Sequence, residues 1–173
     1  MLLVFALNSC QTNQGWIELD WVFVDKSLKP VFPGGKKDNV CGLIGAEQAG
    51  ESATISYDLG VRLNRYPCAE STNPEECLLR TRSTDLFKCD RARGTVEQTS
   101  SGSDGYLIEV QVIAKPKQGS PFIVRPSCIA VPGPRYRKVQ GGTITDLAVY
   151  QIVLHRGLDK DMIFSECREG FDN

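Results

Sequence analysis

Trp16-Ile17-Glu18-Leu19-Asp20-Trp21-Val22-Phe23-Val24 decides the fold class. Ile17, Leu19, Trp21 and Phe23 share one parity and are all apolar, while Glu18 and Asp20 fall on the other. Successive side chains of an extended chain point to opposite faces, so this pattern is a half-buried β-strand. A helix would scatter the same residues around its circumference. Working outward, the same period returns twice. In Ala53–Leu63, Ile55, Tyr57, Leu59, Val61 and Leu63 alternate with Thr54, Ser56, Asp58, Gly60 and Arg62. In Tyr106–Ala114, Tyr106, Ile108, Val110, Val112 and Ala114 share one face.

Shorter runs fill the gaps. Leu78–Arg82, Asp85–Cys89, Phe122–Val124 and Cys128–Val131 read as short strands, the last two held to sheet edges by Pro126, Pro132 and Pro134. Thr143–His155 carries Ile144, Leu147, Val149, Ile152 and Leu154, with a parity shift near Asp146 that suits a bulge. Asp25–Asn39 and Arg91–Gly105 read as loops, with an exposed hairpin turn over Thr99–Gly105, and Val40–Ala49 as a short helical turn. Met162, Ile163 and Phe164 mark a short docked tail. Roughly six to eight short strands with Gly/Pro/Ser turns and no long helix predict an all-β fold, an antiparallel β-sandwich, with a closed barrel as the alternative.

The 173 residues suit one domain with a real core. A net charge of −1 offers no basic face for nucleic acid. Past the N-terminus no apolar run approaches the roughly 20 residues of a spanning helix.

Seven cysteines are the second strong signal. Leu7-Asn8-Ser9-Cys10 follows the apolar stretch Met1–Leu7 and has the form of a bacterial lipobox, in which a signal peptide is cut before a lipid-bearing cysteine. No Lys or Arg precedes Lys26, so the expectation includes a start codon assigned too late, with a basic segment missing. The competing reading makes Met1–Ser9 a first strand. The predicted organisation is a truncated signal peptide over 1–9, a tether over 10–15 and a sandwich over 16–173. The membrane is then the partner of Cys10. Gln11, in place of Asp after the cysteine, fits sorting to the outer membrane of a Gram-negative envelope.

Setting Cys10 aside leaves Cys41, Cys68, Cys77, Cys89, Cys128 and Cys167. Six cysteines allow 15 connectivities, and spacing does not choose among them. The favoured set staples Cys68 to Cys77 across the polar segment Ala69–Glu76, with Asn73-Pro74 as a turn, and pins the tail through Cys128–Cys167. Cys41 and Cys89 remain for each other. No C-x₂-C or C-x₄-C pair is present and His155 is the single histidine, so no zinc site or other metal or cofactor is expected.

At this level the chain resembles a loose group of predicted bacterial lipoproteins, best known from myxobacteria. Trp16–Phe23 matches their opening strand. Phe87-Lys88-Cys89-Asp90 with Gly94 matches a mid-domain Phe-x-Cys…Gly element. Gly105–Val110 followed by Val139, Gly141, Gly142, Ile144, Asp146 and Leu147 matches a late strand pair of carboxypeptidase-regulatory-like modules. The resemblance implies a single immunoglobulin-like or transthyretin-like sandwich in the envelope, favours Cys41–Cys89, and implies no activity. The Cys68–Cys77 insertion and the tail with Cys167 depart from it.

Chemistry is thinly signalled. A Ser-His-Asp hydrolase would have to use His155, and no G-x-S-x-G elbow exists. Glu18 and Asp20 have glycosidase-like spacing but read as a solvated strand face. Asp159 and Asp161 resemble a fragment of a calcium loop without its glycine or terminal Glu. The best binding candidate is Arg135, Tyr136, Arg137 and Lys138 in Pro132-Gly133-Pro134-Arg135-Tyr136-Arg137-Lys138, cations and an aromatic ring on a stiff loop. The expectation is therefore a non-catalytic, lipid-anchored envelope module binding a protein or glycan. The alternatives are an accessory domain of a secreted enzyme complex and a hydrolase using His155.

Overall fold

The alternation at Trp16–Val24 becomes the strand β1 (Gln14–Val24), with Ile17, Leu19, Trp21 and Phe23 buried. The structure, a computed structural model, describes residues 13–32, 41–50, 55–99, 105–117, 119–156 and 162–169. The further strands are β2 (Pro30–Phe32), β3 (Gly42–Ala46), β4 (Ile55–Cys68), β5 (Ser83–Lys88), β6 (Arg93–Thr99), β7 (Gly105–Pro116), β8 (Phe122–Val124), β9 (Ile129–Ala130), β10 (Arg135–Arg137), β11 (Ile144–Leu154), β12 (Met162–Ile163) and β13 (Arg168–Glu169). Two short α-helices, α1 (Pro74–Leu78) and α2 (Phe164–Cys167), and one 3₁₀ turn over Cys89–Arg91 complete the described elements.

The fold is an all-β sandwich of two packed sheets. The small sheet runs β2-β1-β11-β9, with β6 also on β1; the large one runs β12-β3-β4-β7-β8-β13, with β5 on β4 and β10 on β7. Long strands form both centres, and the inner faces of β1, β4, β7 and β11 make one core. Burying a large apolar side chain there contributes about 1.5–3 kcal/mol. Trp21 sits at its middle: the indole N–H donates to the Cys89 carbonyl at 3.0 Å, and the ring lies 5.7 Å from Phe87.

Antiparallel pairing dominates, with two departures: the short β3–β12 pair of the large sheet and, at the heart of the small sheet, β1 with β11. β1 and β11 run parallel, from Trp16 beside Ile144 to Val24 beside Val153. The segment before β11 returns to the pole where β1 begins: Gly142 N–H donates to the Gln14 carbonyl at 2.8 Å, and Trp16 N–H to that of Thr143 at 2.9 Å. Two strands that start at one pole must run the same way. The predicted bulge is present. Ala148 has φ of 62°, its N–H donates to the Asp146 carboxylate at 2.7 Å, and the register shifts opposite Glu18–Asp20. Beyond it Tyr150 turns inward, while Val149 and Ile144 are exposed.

Four local expectations are corrected. Val40–Ala49 is no helical turn: its centre is the strand β3, paired with β4 and, in parallel, with β12. Gly45 allows this, because a Cβ there would overlap the Met162 carbonyl oxygen. Leu78–Arg82 is not a strand. Asn73-Pro74 opens α1 instead, with the Asn73 side chain accepting from Glu75 N–H at 3.1 Å and Pro74 in the first turn. Arg91–Gly105 contains β6, which pairs with β1 from Gln14 to Asp20 and escaped notice because only Gly94 and Val96 of it face inward as small or apolar residues. The Asp25–Asn39 loop contains β2. The predicted hairpin turn falls largely outside the described residues, as do the segments 1–9 and 10–12; β1 takes in the last two residues of the expected tether.

Three disulfides staple the sandwich: Cys41–Cys89, Cys68–Cys77 and Cys128–Cys167, with Cα separations of 5.7, 5.7 and 5.8 Å. Those separations are ordinary for the bond. The tail is pinned a second time. The Phe164 ring packs on Tyr57 with centroids 3.8 Å apart, the Tyr57 hydroxyl donates to Glu47 at 2.7 Å, and Arg168 pairs with Glu47 at 2.5 Å.

Candidate functional site

Alternation along β4 turns Asp58, Gly60, Arg62, Asn64, Tyr66 and Cys68 away from the core. Register places Lys115, Ile113, Gln111, Glu109, Leu107 and Gly105 of β7 beside them. On the other side β5 brings Leu86 beside Arg62 and Thr84 beside Asn64. The outer face of the large sheet is thereby assembled from three strands far apart in sequence.

Its centre is a hydrogen-bonded ladder. Arg62 Nε donates to the side-chain Oε1 of Gln111 at 2.9 Å. Asn64 Nδ2 donates to that same oxygen at 3.0 Å and to Glu109 Oε2 at 2.9 Å. Thr84 Oγ1 donates to Asn64 Oδ1 at 2.9 Å, and the Tyr66 hydroxyl to Glu109 Oε2 at 3.0 Å. Asn64 is 0% exposed although it faces outward. Burial lowers the Arg62 pKa, and repulsion from Arg82 adds to it. Burial and then the Glu109 charge raise the Tyr66 phenol above its ordinary value. The Gln111 side-chain oxygen accepts from Nε and Nη2 of Arg62 and from Nδ2 of Asn64, while its NH₂ group has no partner among the described residues.

Beside the ladder lies an open groove of about 640 Å³. Gly60, Ile113, Leu86 and Phe87 give it an apolar floor and wall, Asp58 and Lys115 a charged end, and Cys41–Cys89 a rigid rim. A Cβ at Gly60 would sit 3.1 Å from Leu86 Cδ1 and from the Phe87 carbonyl, so glycine keeps the floor open. Apolar floor with a few fixed polar groups is the ordinary make-up of a ligand cleft.

The residues singled out in sequence fall elsewhere. Arg135, Tyr136 and Arg137 form β10, an edge strand on β7 and not a loop. Register splits them: Tyr136 lies beside Leu107 on the outer side, whereas Arg135 and Arg137 lie beside the core residues Ile108 and Tyr106. Lys138 is exposed just beyond. His155 follows β11 with its backbone N–H on the Cys128 carbonyl at 2.8 Å, and among the described residues its ring has no hydrogen bond to a Ser or a carboxylate. Glu18 and Asp20 both face Arg93, at 3.9 and 2.7 Å. Cys10, Asp159 and Asp161 lie outside the described residues. Among the described residues no cluster of three or more His, Cys, Asp or Glu could hold a metal, and no helix is long and apolar enough to cross a membrane.

The ladder went unrecognised because its outward residues look like any solvated strand face. The available signal was the break in β4 after Leu63, where Asn64 and Tyr66 stand on the outer parity, matched by Glu109 and Gln111 two apart in β7. Reading it requires knowing that β4 pairs with β7. The chain matches no protein-family model, no curated protein and no solved structure.

Proposed function

We propose that the chain is a non-catalytic, exported binding module, tethered to the bacterial envelope by a lipid on Cys10, which holds an oligosaccharide on the outer face of its large sheet. The observation that carries the reading is the groove whose Gly60–Ile113 floor adjoins, in register, the Arg62–Gln111 end of the ladder. Sugar hydroxyls both donate and accept. The half-buried Gln111 amide and Arg62 guanidinium are donors already held in place by their neighbours, and the apolar Leu86–Ile113 floor suits a pyranose face. Preorganised groups lose little freedom on binding. Three disulfides suit an oxidising compartment, which supports export.

A glycan array probed with the full chain bearing Cys10→Ser tests the binding. Retention of an envelope-type oligosaccharide, weakened about tenfold by Gln111→Ala through loss of one or two hydrogen bonds, is the expected result. No retained glycan, or retention indifferent to Gln111→Ala and Arg62→Ala alike, would sink it. Mass spectrometry of protein expressed from an extended reading frame reads the tether: a lipidated Cys10 at the N-terminus is expected, and an unmodified Met1 refutes it.

A further inference from the structure

The Arg135 and Arg137 side of β10 leads to a second site, separate from the outer face. Both residues lie on the inter-sheet side of that edge strand. Across the gap stands Tyr150 of β11, with the Arg135 guanidinium carbon 5.3 Å from its ring centroid. Tyr150 is 1% exposed, and its hydroxyl is buried with no hydrogen-bond partner among the described residues. Beyond β1, β11 has a neighbour only at Val153 and Leu154 among the described residues, so its earlier edge is open beside β10.

The groups gathered here donate. A guanidinium has N–H donors and no acceptor, and a phenol beside two guanidiniums is best used as a donor. Burial pushes the Tyr150 phenol up, and the charges of Arg135 and Arg137 pull it back; no carboxylate acts on it. Arg137 spends one N–H on the Tyr136 carbonyl at 2.8 Å and makes no other side-chain hydrogen bond among the described residues. A buried hydroxyl without a partner is disfavoured, and a bound acceptor relieves it. We propose that the mouth between β10 and β11 is an oxyanion site, in which Arg135 and Arg137 supply charge and Tyr150 donates a hydrogen bond to a phosphate group. Charge-assisted bonds from arginine to phosphate are the strong class of such contacts.

Isothermal titration of the full chain with inorganic phosphate, and separately with glycerol 1-phosphate, tests it. Both anions bind at millimolar concentrations if the site exists. Tighter binding of the monoester marks a phosphorylated molecule as the ligand, and equal binding marks the free anion. Tyr150→Phe, which keeps the ring, weakens binding about tenfold, as expected for a buried hydrogen bond to a charged group. Arg135→Ala with Arg137→Ala abolishes it; Arg135 is exposed, so Arg135→Ala alone carries this arm if the double variant does not fold. Gln111→Ala leaves phosphate binding unchanged, which separates this site from the glycan face. Absence of binding by either anion, or affinity unchanged in Tyr150→Phe or in Arg135→Ala, overturns the assignment.

Discussion

The two outer faces of the sandwich begin from the same period-two alternation and end differently. On the small sheet, Glu18 and Asp20 of β1 stand outward, with Arg93 of β6 reaching both. Trp16 and Ile144 sit side by side in register, and both are exposed. On the large sheet the outward residues are bonded to one another, and Asn64 is fully buried. Cover makes the difference. The Cys68–Cys77 loop carries α1 over the end of the large sheet, where Tyr66, Cys68, Cys77, Leu107 and Leu78 form a small apolar cluster. That cluster excludes water from one end of the ladder. Parity thus states which side of a strand a residue occupies; the covering segment decides whether that side is solvent.

Removing the cover breaks the contrast most strongly. Cys68→Ser with Cys77→Ser opens a bridge between residues nine apart in sequence. Chain entropy alone sets the expected loss at about 3 kcal/mol. Denaturant unfolding measures it, and amide exchange rising at Asn64 and Tyr66 before the rest of β4 shows that the ladder has been wetted. Next in size is Asn64→Leu. It leaves Glu109, Gln111 and Thr84 each short of a partner, and about 2 kcal/mol is expected for unsatisfied polar groups in a half-buried network. The matched change on the other face is Arg93→Ala, which frees Asp20 and Glu18 into water. An exposed pair of this kind contributes little, so the unfolding midpoint should stay in place. A clear fall there would mean that the small sheet's face is also a bonded network.

The same contrast explains what was legible in the sequence. β1, the inner faces of β4 and β7, and the bulge at Ala148 could be read because burial imposes a local period. Of the cysteine pairs, Cys68–Cys77 is legible from the polar loop between its members, whereas the other two are one choice among the open connectivities until the fold brings their strands together. β3, α1 and β6 were misread because tertiary contacts override weak local signals. Gly45 fits only because Met162 lies against it, and β6 needs β1 as its template. The ladder was hidden for a related reason. Its bonds join residues 20 to 49 apart in sequence, and each partner alone resembles a surface residue. Arg135–Lys138 was noticed for its composition, yet its meaning depends on register with β7, which sends Tyr136 one way and the arginines the other.

The finest test of the contrast is pH. Tyr66 has a phenol raised by burial and by Glu109, although Arg82 pulls it down. An acid whose folded pKa is raised keeps its proton in the folded state after the unfolded chain has lost it. Its contribution is complete below the unfolded tyrosine value of about 10 and is lost as pH climbs through the folded pKa. Stability should therefore fall with a steeper slope above about pH 10 in the native chain than in Tyr66→Phe, and the two should run parallel below it. Tyr57 and Tyr150 are raised as well, so the Tyr66→Phe curve flattens only in part. Arg93→Ala, on the solvated face, leaves the alkaline slope untouched. Identical alkaline slopes for the native chain and Tyr66→Phe would mean that the Tyr66 hydroxyl meets water, and that the ladder is as open as the face opposite.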